Sequence, residues 1–170
     1  MAVASEIERG LLGLAAEYAV ASVLCRRGIY AQLTLGHQKK TDLLVFSDAG
    51  EVARLEVKAK QKREWPNCRG ISGPNVFLVF VDFEGRASGQ PPDFFVLSVK
   101  EWRRLVERRV KSLKAKNPKM RLSITDENVC VFEDQIGRSG QTYKGIGVRV
   151  PDVSMHRDAW GKVTRALSAG

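Results

Sequence analysis

Four charged residues define the chemistry open to this chain: Glu17, Asp42, Glu56 and Lys58. Glu56 and Lys58 stand two apart in the run Leu55-Glu56-Val57-Lys58-Ala59-Lys60, which alternates in polarity as a half-buried strand does. Arg54, Glu56, Lys58 and Lys60 then share one face, and Leu55, Val57 and Ala59 the other. Upstream, Asp48-Ala49-Gly50 reads as a three-residue hairpin loop with Gly50 in the left-handed conformation. Setting Ser47 across from Glu51 pairs Phe46 with Val52 and places Asp42 opposite Glu56. Cross-strand neighbours on one face approach to about 5 Å at Cβ. A slip of one residue would put the two acids on opposite faces.

Adjacent carboxylates repel unless a cation or proton lies between them. Mg²⁺ suits the place, with Mn²⁺ as a substitute, because it takes hard oxygen ligands and keeps water and phosphate oxygens in its shell. It polarises a phosphate and lowers the pKa of bound water. Asp42 and Glu56 are therefore candidate ligands, with the Val57 carbonyl and Glu17 as further ones. Lys58 points into the same space, where a cation positions the attacking water and offsets charge on the transition state. Were its pKa depressed, it would also serve as the base. Glu17 interrupts the apolar helix Leu11–Leu24, where an ionised acid needs a partner. Each of these residues alone reads more readily as a solvated charge. The helix acid, the hairpin register and the Glu-x-Lys spacing nevertheless agree independently, so the candidate catalytic set is Glu17, Asp42, Glu56 and Lys58.

The elements that must position this set are legible in outline. Ser5 and Glu8 form a capping box at the start of the first helix. Ile7, Leu11, Leu14, Tyr18, Ala21 and Cys25 follow at helical spacing and predict its buried stripe, and Gly28 ends it. Gly10 and Gly13 are expected to let this helix approach the sheet closely. Strands are expected over 29–35, 41–47 and 51–60, with a basic loop at 36–40. The segment from Trp65 to Pro74 reads as a loop. Asn75–Phe83 is nearly all apolar, as a central strand covered on both faces would be. Asp93–Leu97 is a further strand. Ser98 and Glu101 cap a second helix, with the stripe Trp102, Leu105, Val106, Val110 and Leu113, that stops at Asn117-Pro118. Beyond it, 128–132 reads as a short strand or helix, 137–147 as a loop or irregular hairpin, and 159–167 as a final helix. The 170 residues suffice for one domain, with a core over about 5–116 and an extension over 117–170.

The net charge of +9 favours a polyanion as partner. Lys39, Lys40, Lys60, Lys62, Arg63 and Arg69 flank the four-residue set and are the candidate nucleic-acid contacts. A second basic segment runs from Lys100 to Arg121. The three cysteines are widely spaced and form no C-x-x-C, which argues against a disulfide framework or zinc site and fits a reducing cytoplasm. Cys25 is expected to be a buried small hydrophobe. Leu11–Leu24 is too short to span a membrane and contains Glu17, and the first ten residues lack the pattern of a signal peptide, so no membrane partner is expected.

Over about Ser5–Phe83 the arrangement resembles the PD-(D/E)XK nuclease superfamily, which includes restriction endonucleases and archaeal-type Holliday junction resolvases. The residues that carry the resemblance are the helix with Glu17, the strand opened by Asp42, and Glu56-Val57-Lys58 after a hairpin. Thr41 stands where the name-giving proline would be. The resemblance implies an α/β, restriction endonuclease-like fold with an αβββαβ-type core, a mixed sheet flanked by helices. It implies Mg²⁺-dependent cleavage of DNA, metal ligation by Asp42 and Glu56, a catalytic Lys58 and a supporting Glu17. Two alternatives stand beside it: a non-catalytic nucleic-acid-binding module on a similar scaffold, and an RNA-processing protein. Cutting both strands of a duplex would favour a symmetric homodimer.

Overall fold

The Asp48-Ala49-Gly50 loop folds as its residues require. A computed structural model describes residues 6–34, 41–136 and 141–168. Gly50 has φ +86°, and the Ser47 amide donates to the Glu51 carbonyl at 2.9 Å. The hairpin joins β2 (Leu43–Phe46) to β3 (Val52–Lys60), antiparallel, with Phe46 opposite Val52 and Leu43 opposite Leu55. That is the anticipated register.

β1 (Tyr30–Leu33) pairs antiparallel with the outer side of β2. β5 (Val76–Asp82) lies parallel to β3, and β6 (Asp93–Ser98) is antiparallel to β5. The five-stranded mixed sheet has the order β1-β2-β3-β5-β6. Every residue of β5 is buried, as its unbroken apolar run implies. The helix α1 (Arg9–Cys25) covers one face, setting Ala16, Val20 and Leu24 against Leu43, Val45, Ala53, Leu55 and Val57. The helix α2 (Val99–Lys116) covers the other, with Trp102, Leu105, Val106 and Val110 over Leu78, Phe80, Phe95 and Leu97. Its capping box is formed by Ser98 and Glu101.

Two features of α1 correct the sequence reading. Its N-cap is Glu8, whose carboxylate accepts from the amides of Gly10 and Leu11; Ser5 lies outside the described residues. The buried stripe is Leu12, Ala16, Val20 and Leu24, while Leu11 and Tyr18 are 61% and 60% exposed. Ile7, Leu14 and Cys25 are exposed as well. Both stripes have helical spacing in a helix that is apolar nearly all round, so periodicity does not choose between them. The small Ala16 faces the sheet. The glycines do not serve a close approach: a Cβ on Gly13 would meet nothing within 4 Å, and one on Gly10 would meet the Glu8 carboxylate at 3.0 Å.

No helix connects β3 to β5. The crossover runs through β4 (Trp65–Cys68), which pairs antiparallel with β10 (Ile146–Val148). Here the structure departs from the αβββαβ order, while keeping a mixed α/β sheet flanked by helices. The physical reason is local. Trp65 and Cys68 are buried, Trp65 Nε1 donates to the Val81 carbonyl, and Asn67 and Gly70 have positive φ. A Cβ on Gly70 would overlap the Trp102 indole.

β7 (Leu122–Ile124), β8 (Cys130–Ile136) and β9 (Thr142–Lys144) form a three-stranded sheet. Beyond β10, α3 (Val150–Val153) and a turn of 3-10 helix lead to α4 (Gly161–Leu167). This C-terminal segment feeds both cores: Trp160, Val163 and Leu167 join the first, and Leu122, Cys130, Ile146, Val148 and Val153 join the second. Among the described residues, no helix is long and apolar enough to cross a membrane.

Candidate active site at the open edge of β3

β2 stops at Leu43, whereas β3 continues to Lys60. In a strand, the N–H and C=O of one residue point to the same neighbour, and the next residue points the other way. Even-numbered residues of β3 bond toward β5: the Arg54 amide donates to Asn75, and the Lys60 carbonyl accepts from Phe83, both at 2.8 Å. Odd-numbered residues face β2, and the Leu55 carbonyl accepts from the Asp42 amide at 2.9 Å. The N–H and C=O of Val57 and Ala59 therefore face the side on which β2 has ended.

Asp42 occupies the first part of that opening. Its Oδ2 accepts the Val57 N–H at 2.6 Å. Thr34 steadies the bend from β1, its amide donating to the Asp42 carbonyl at 2.9 Å and its hydroxyl to the Thr41 carbonyl at 2.7 Å. The ladder thus ends at Leu43–Leu55, one step before the Asp42–Glu56 pair that simple extrapolation expects. Asp42 turns to the strand edge, and its side chain bonds the amide between Glu56 and Lys58.

Glu56 is 5% exposed. Its Oε1 lies 2.7 Å from Lys58 Nζ, while Oε2 is buried without a hydrogen-bond partner. Lys58 remains partly open to solvent. Glu17 reaches the same edge from the helix layer, half-buried. Burial pushes its carboxyl above the usual range, the Asp42 charge adds to this, and Lys58 opposes it. The structure sets Asp42, Glu56 and Lys58 at one strand edge, with Glu17 near enough to Asp42 and Lys58 to feel their charges.

A buried carboxylate oxygen without a donor is costly unless a cation or proton meets it. Glu56 Oε2 and the Asp42 carboxylate are hard oxygen donors, and the Val57 carbonyl faces the same opening. Among the described residues, no three His, Cys, Asp or Glu side chains gather into a metal cage. Two carboxylates at an open strand edge fit Mg²⁺, which seldom uses an all-protein cage and completes its shell with water and phosphate oxygens. Glu17 does not join Asp42 and Glu56 in such a cage; it interacts with the charges of Asp42 and Lys58.

Lys60, read from sequence as a nucleic-acid contact, has another task. It is 3% exposed, and its ammonium lies 2.7 Å from Asp82 and 2.6 Å from Glu84, beneath the Trp65 ring. Lys62, Arg63 and Arg69 are exposed. Lys62 lies 2.6 Å from Glu6. Lys39 and Lys40 fall outside the described residues. From Lys58, a groove of about 380 Å³ runs along the edge of β3 toward the start of α1, past Ala59, Pro66, Arg9, Leu12 and Gly13.

Two further residues near the site have no signature in the sequence. Glu64 lines this groove and lies 3.2 Å from Arg149, which caps α3. They meet because β4 pairs with β10, a contact between distant segments that no local pattern announces. Cys68 lies behind the Glu56–Lys58 pair, and burial pushes its thiol up to about 12, so it is inert.

No protein-family model matches the chain, and no curated protein matches it. Among solved structures, the chain is similar to the bacterial homing endonuclease I-Ssp6803I, with a TM-score of 0.52 and 15% identity, over 96% of each chain. At this identity the likeness is one of fold, and it extends through the C-terminal segment.

Proposed function

We propose that this chain is a Mg²⁺-dependent DNA endonuclease of the PD-(D/E)XK type, acting as a single domain and pairing with a second copy to cut both strands. The observation that carries the reading is the buried Glu56 carboxylate, with one oxygen on Lys58 and the other unpartnered, beside Asp42 at an open strand edge. The fold shared with a homing endonuclease supports a nuclease, and the net charge of +9 supports a polyanionic substrate.

Asp42, Glu56 and the Val57 carbonyl would hold the ion, which supplies a polarised phosphate and a water of lowered pKa. Asp42 is oriented by the Val57 amide, so its carboxylate costs little to reorganise. Lys58, anchored by Glu56, holds the attacking water and offsets the charge that gathers on the phosphoryl oxygens. Glu17 adds negative charge beside Asp42 and Lys58 and so favours a cation between them. Lys62, Arg63 and Arg69 would hold flanking phosphates without reading sequence.

Cleavage of plasmid, linear duplex, single-stranded and branched DNA, and of RNA, tests this with Mg²⁺ or Mn²⁺ against EDTA. Asp42→Asn, Glu56→Gln and Lys58→Ala are each expected to lose about 10²–10³-fold in rate. Mg²⁺ should also raise the melting temperature of the wild type but not of Asp42→Asn, because a ligand that binds only the folded state stabilises it. Binding of DNA without metal-dependent cutting would leave a non-catalytic module as the better account, and cutting confined to RNA would give an RNA-processing enzyme.

A further inference from the structure

We propose that the groove beside Lys58 receives one unstacked nucleotide of the substrate strand, with its base against the edge of β3 and the first turns of α1. This rests on the nuclease reading above and narrows its substrate to DNA whose bases are unpaired, or readily unpaired, next to the scissile phosphate. The groove's volume of about 380 Å³ lies within the range of small-ligand sites, about 300–1,000 Å³.

Its walls suit a base better than a phosphate. Leu12, Ile7, Pro66 and Ala59 supply apolar surface. Its carboxylates are already matched: Glu6 by Lys62 at 2.6 Å and Glu64 by Arg149 at 3.2 Å. Lys60, also in the lining, is held by Asp82 and Glu84. Of the lining cations, Arg9 alone has no carboxylate partner among the described residues. Lys58 stands at the end nearest Asp42 and Glu56, where the phosphate belongs. Enzymes that handle extruded bases hold them by apolar packing and by hydrogen bonds to the base edge. Ala59 provides the second element, because its N–H and C=O both point to the open side of β3. A donor and an acceptor side by side match the adjacent acceptor and donor on a base edge.

Gly13 is the second, independent observation. It lies inside α1, where glycine costs about 1 kcal/mol relative to alanine. No neighbour lies within 4 Å of a Cβ built there, and its φ is not positive. Packing and backbone geometry therefore do not require glycine. Gly13 lines the groove, and its missing side chain keeps the groove open.

The test uses oligonucleotides carrying 2-aminopurine at one position, as a single strand and within a perfect duplex, in Ca²⁺ so that binding is read without turnover. Wild type should bind the single strand more tightly and raise its fluorescence. Gly13→Leu should weaken that binding about tenfold, equivalent to about 1.4 kcal/mol, and abolish the rise, without lowering the melting temperature. Gly13→Ala, which adds one methyl, should give a smaller loss in the same direction and guards against a folding defect in the leucine variant. Unchanged affinity and fluorescence in Gly13→Leu would overturn the proposal. So would tight binding of an extended apolar peptide with no competition from the oligonucleotide, since an open strand edge can also take a peptide. Failure of the nuclease reading is seen separately, as absence of metal-dependent cutting by the wild type.

Discussion

Two lysines two residues apart on one face of β3 have opposite fates, and this separates chemistry from architecture at the scale of single side chains. Lys58 pairs with Glu56 and stays partly open to solvent. Lys60 is buried between Asp82 and Glu84, because the parallel register sets it beside Asp82 at the end of β5. Removing one member of a buried ion pair strands the other and costs about 3–5 kcal/mol. Lys60→Ala should therefore lower the urea midpoint strongly. Lys58→Ala also leaves the buried Glu56 carboxylate without its partner, but Lys58 is itself partly open to solvent, so it should lower the midpoint less while slowing cutting about 10²–10³-fold. Equal destabilisation by the two substitutions would show that Lys58 is a structural cation too. At this scale the Glu-x-Lys spacing was readable from sequence, but it did not distinguish Lys58 from Lys60. Their difference depends on what β5 and the residues after it place alongside.

At the scale of elements, the polar connection between α2 and α4 carries a pH dependence. Glu101 completes the capping box of α2 and also accepts from Lys162 of α4 at 2.8 Å. Burial alone would raise its pKa, but the hydrogen bonds from Lys162 and Ser98 prevail and hold the carboxyl below its ordinary 4.5. A depressed folded value stabilises the protein above the unfolded pKa, and that stability is lost as the pH falls through the folded one. Glu101→Gln should cost about 1–2 kcal/mol at pH 7, measured by urea unfolding, and the difference should shrink as the pH falls below the ordinary carboxylate value of 4.5 and through the lower folded one. A constant difference across that range would remove the charge from the explanation. Of the elements, α2 was legible down to its cap and buried stripe, because its polar and apolar faces differ sharply. α1 was legible as a helix but not in its orientation, since Leu11 and Leu12 offer equally apolar stripes and only the sheet beneath selects Leu12.

Over the whole molecule, charge sets how a nucleic acid would be held. Each phosphate neutralised on B-DNA contributes about 0.9 to the slope of log K against log salt. Arg63 and Arg69 are exposed and follow β3 closely in the chain, so, if both hold phosphates, replacing them by Gln should reduce that slope by about two. On α2, the stripe opposite the buried face carries Lys100, Arg104, Arg108 and Lys111. Neutralising that stripe should leave the slope unchanged if it is a solvated face. Binding isotherms over a range of salt concentrations separate the two surfaces, and a larger effect from α2 would move the DNA path across that helix.

The sequence by itself determined the elements whose signals are local. A left-handed glycine fixes the β2–β3 turn and hence its register, a seven-residue apolar run makes β5 central, and two cap residues start α2. With that register, Asp42, Glu56 and Lys58 had to lie near one another. Only the tertiary structure decided the rest. It ended β2 one residue early, so that Asp42 bonds the Val57 amide at the strand edge. It chose the face of α1, hid Lys60, and made part of the expected loop after β3 into β4, paired to the distant β10. The reason is that each of these depends on contacts between segments far apart in the chain. Their energies are shared between partners, and neither partner's local pattern contains them.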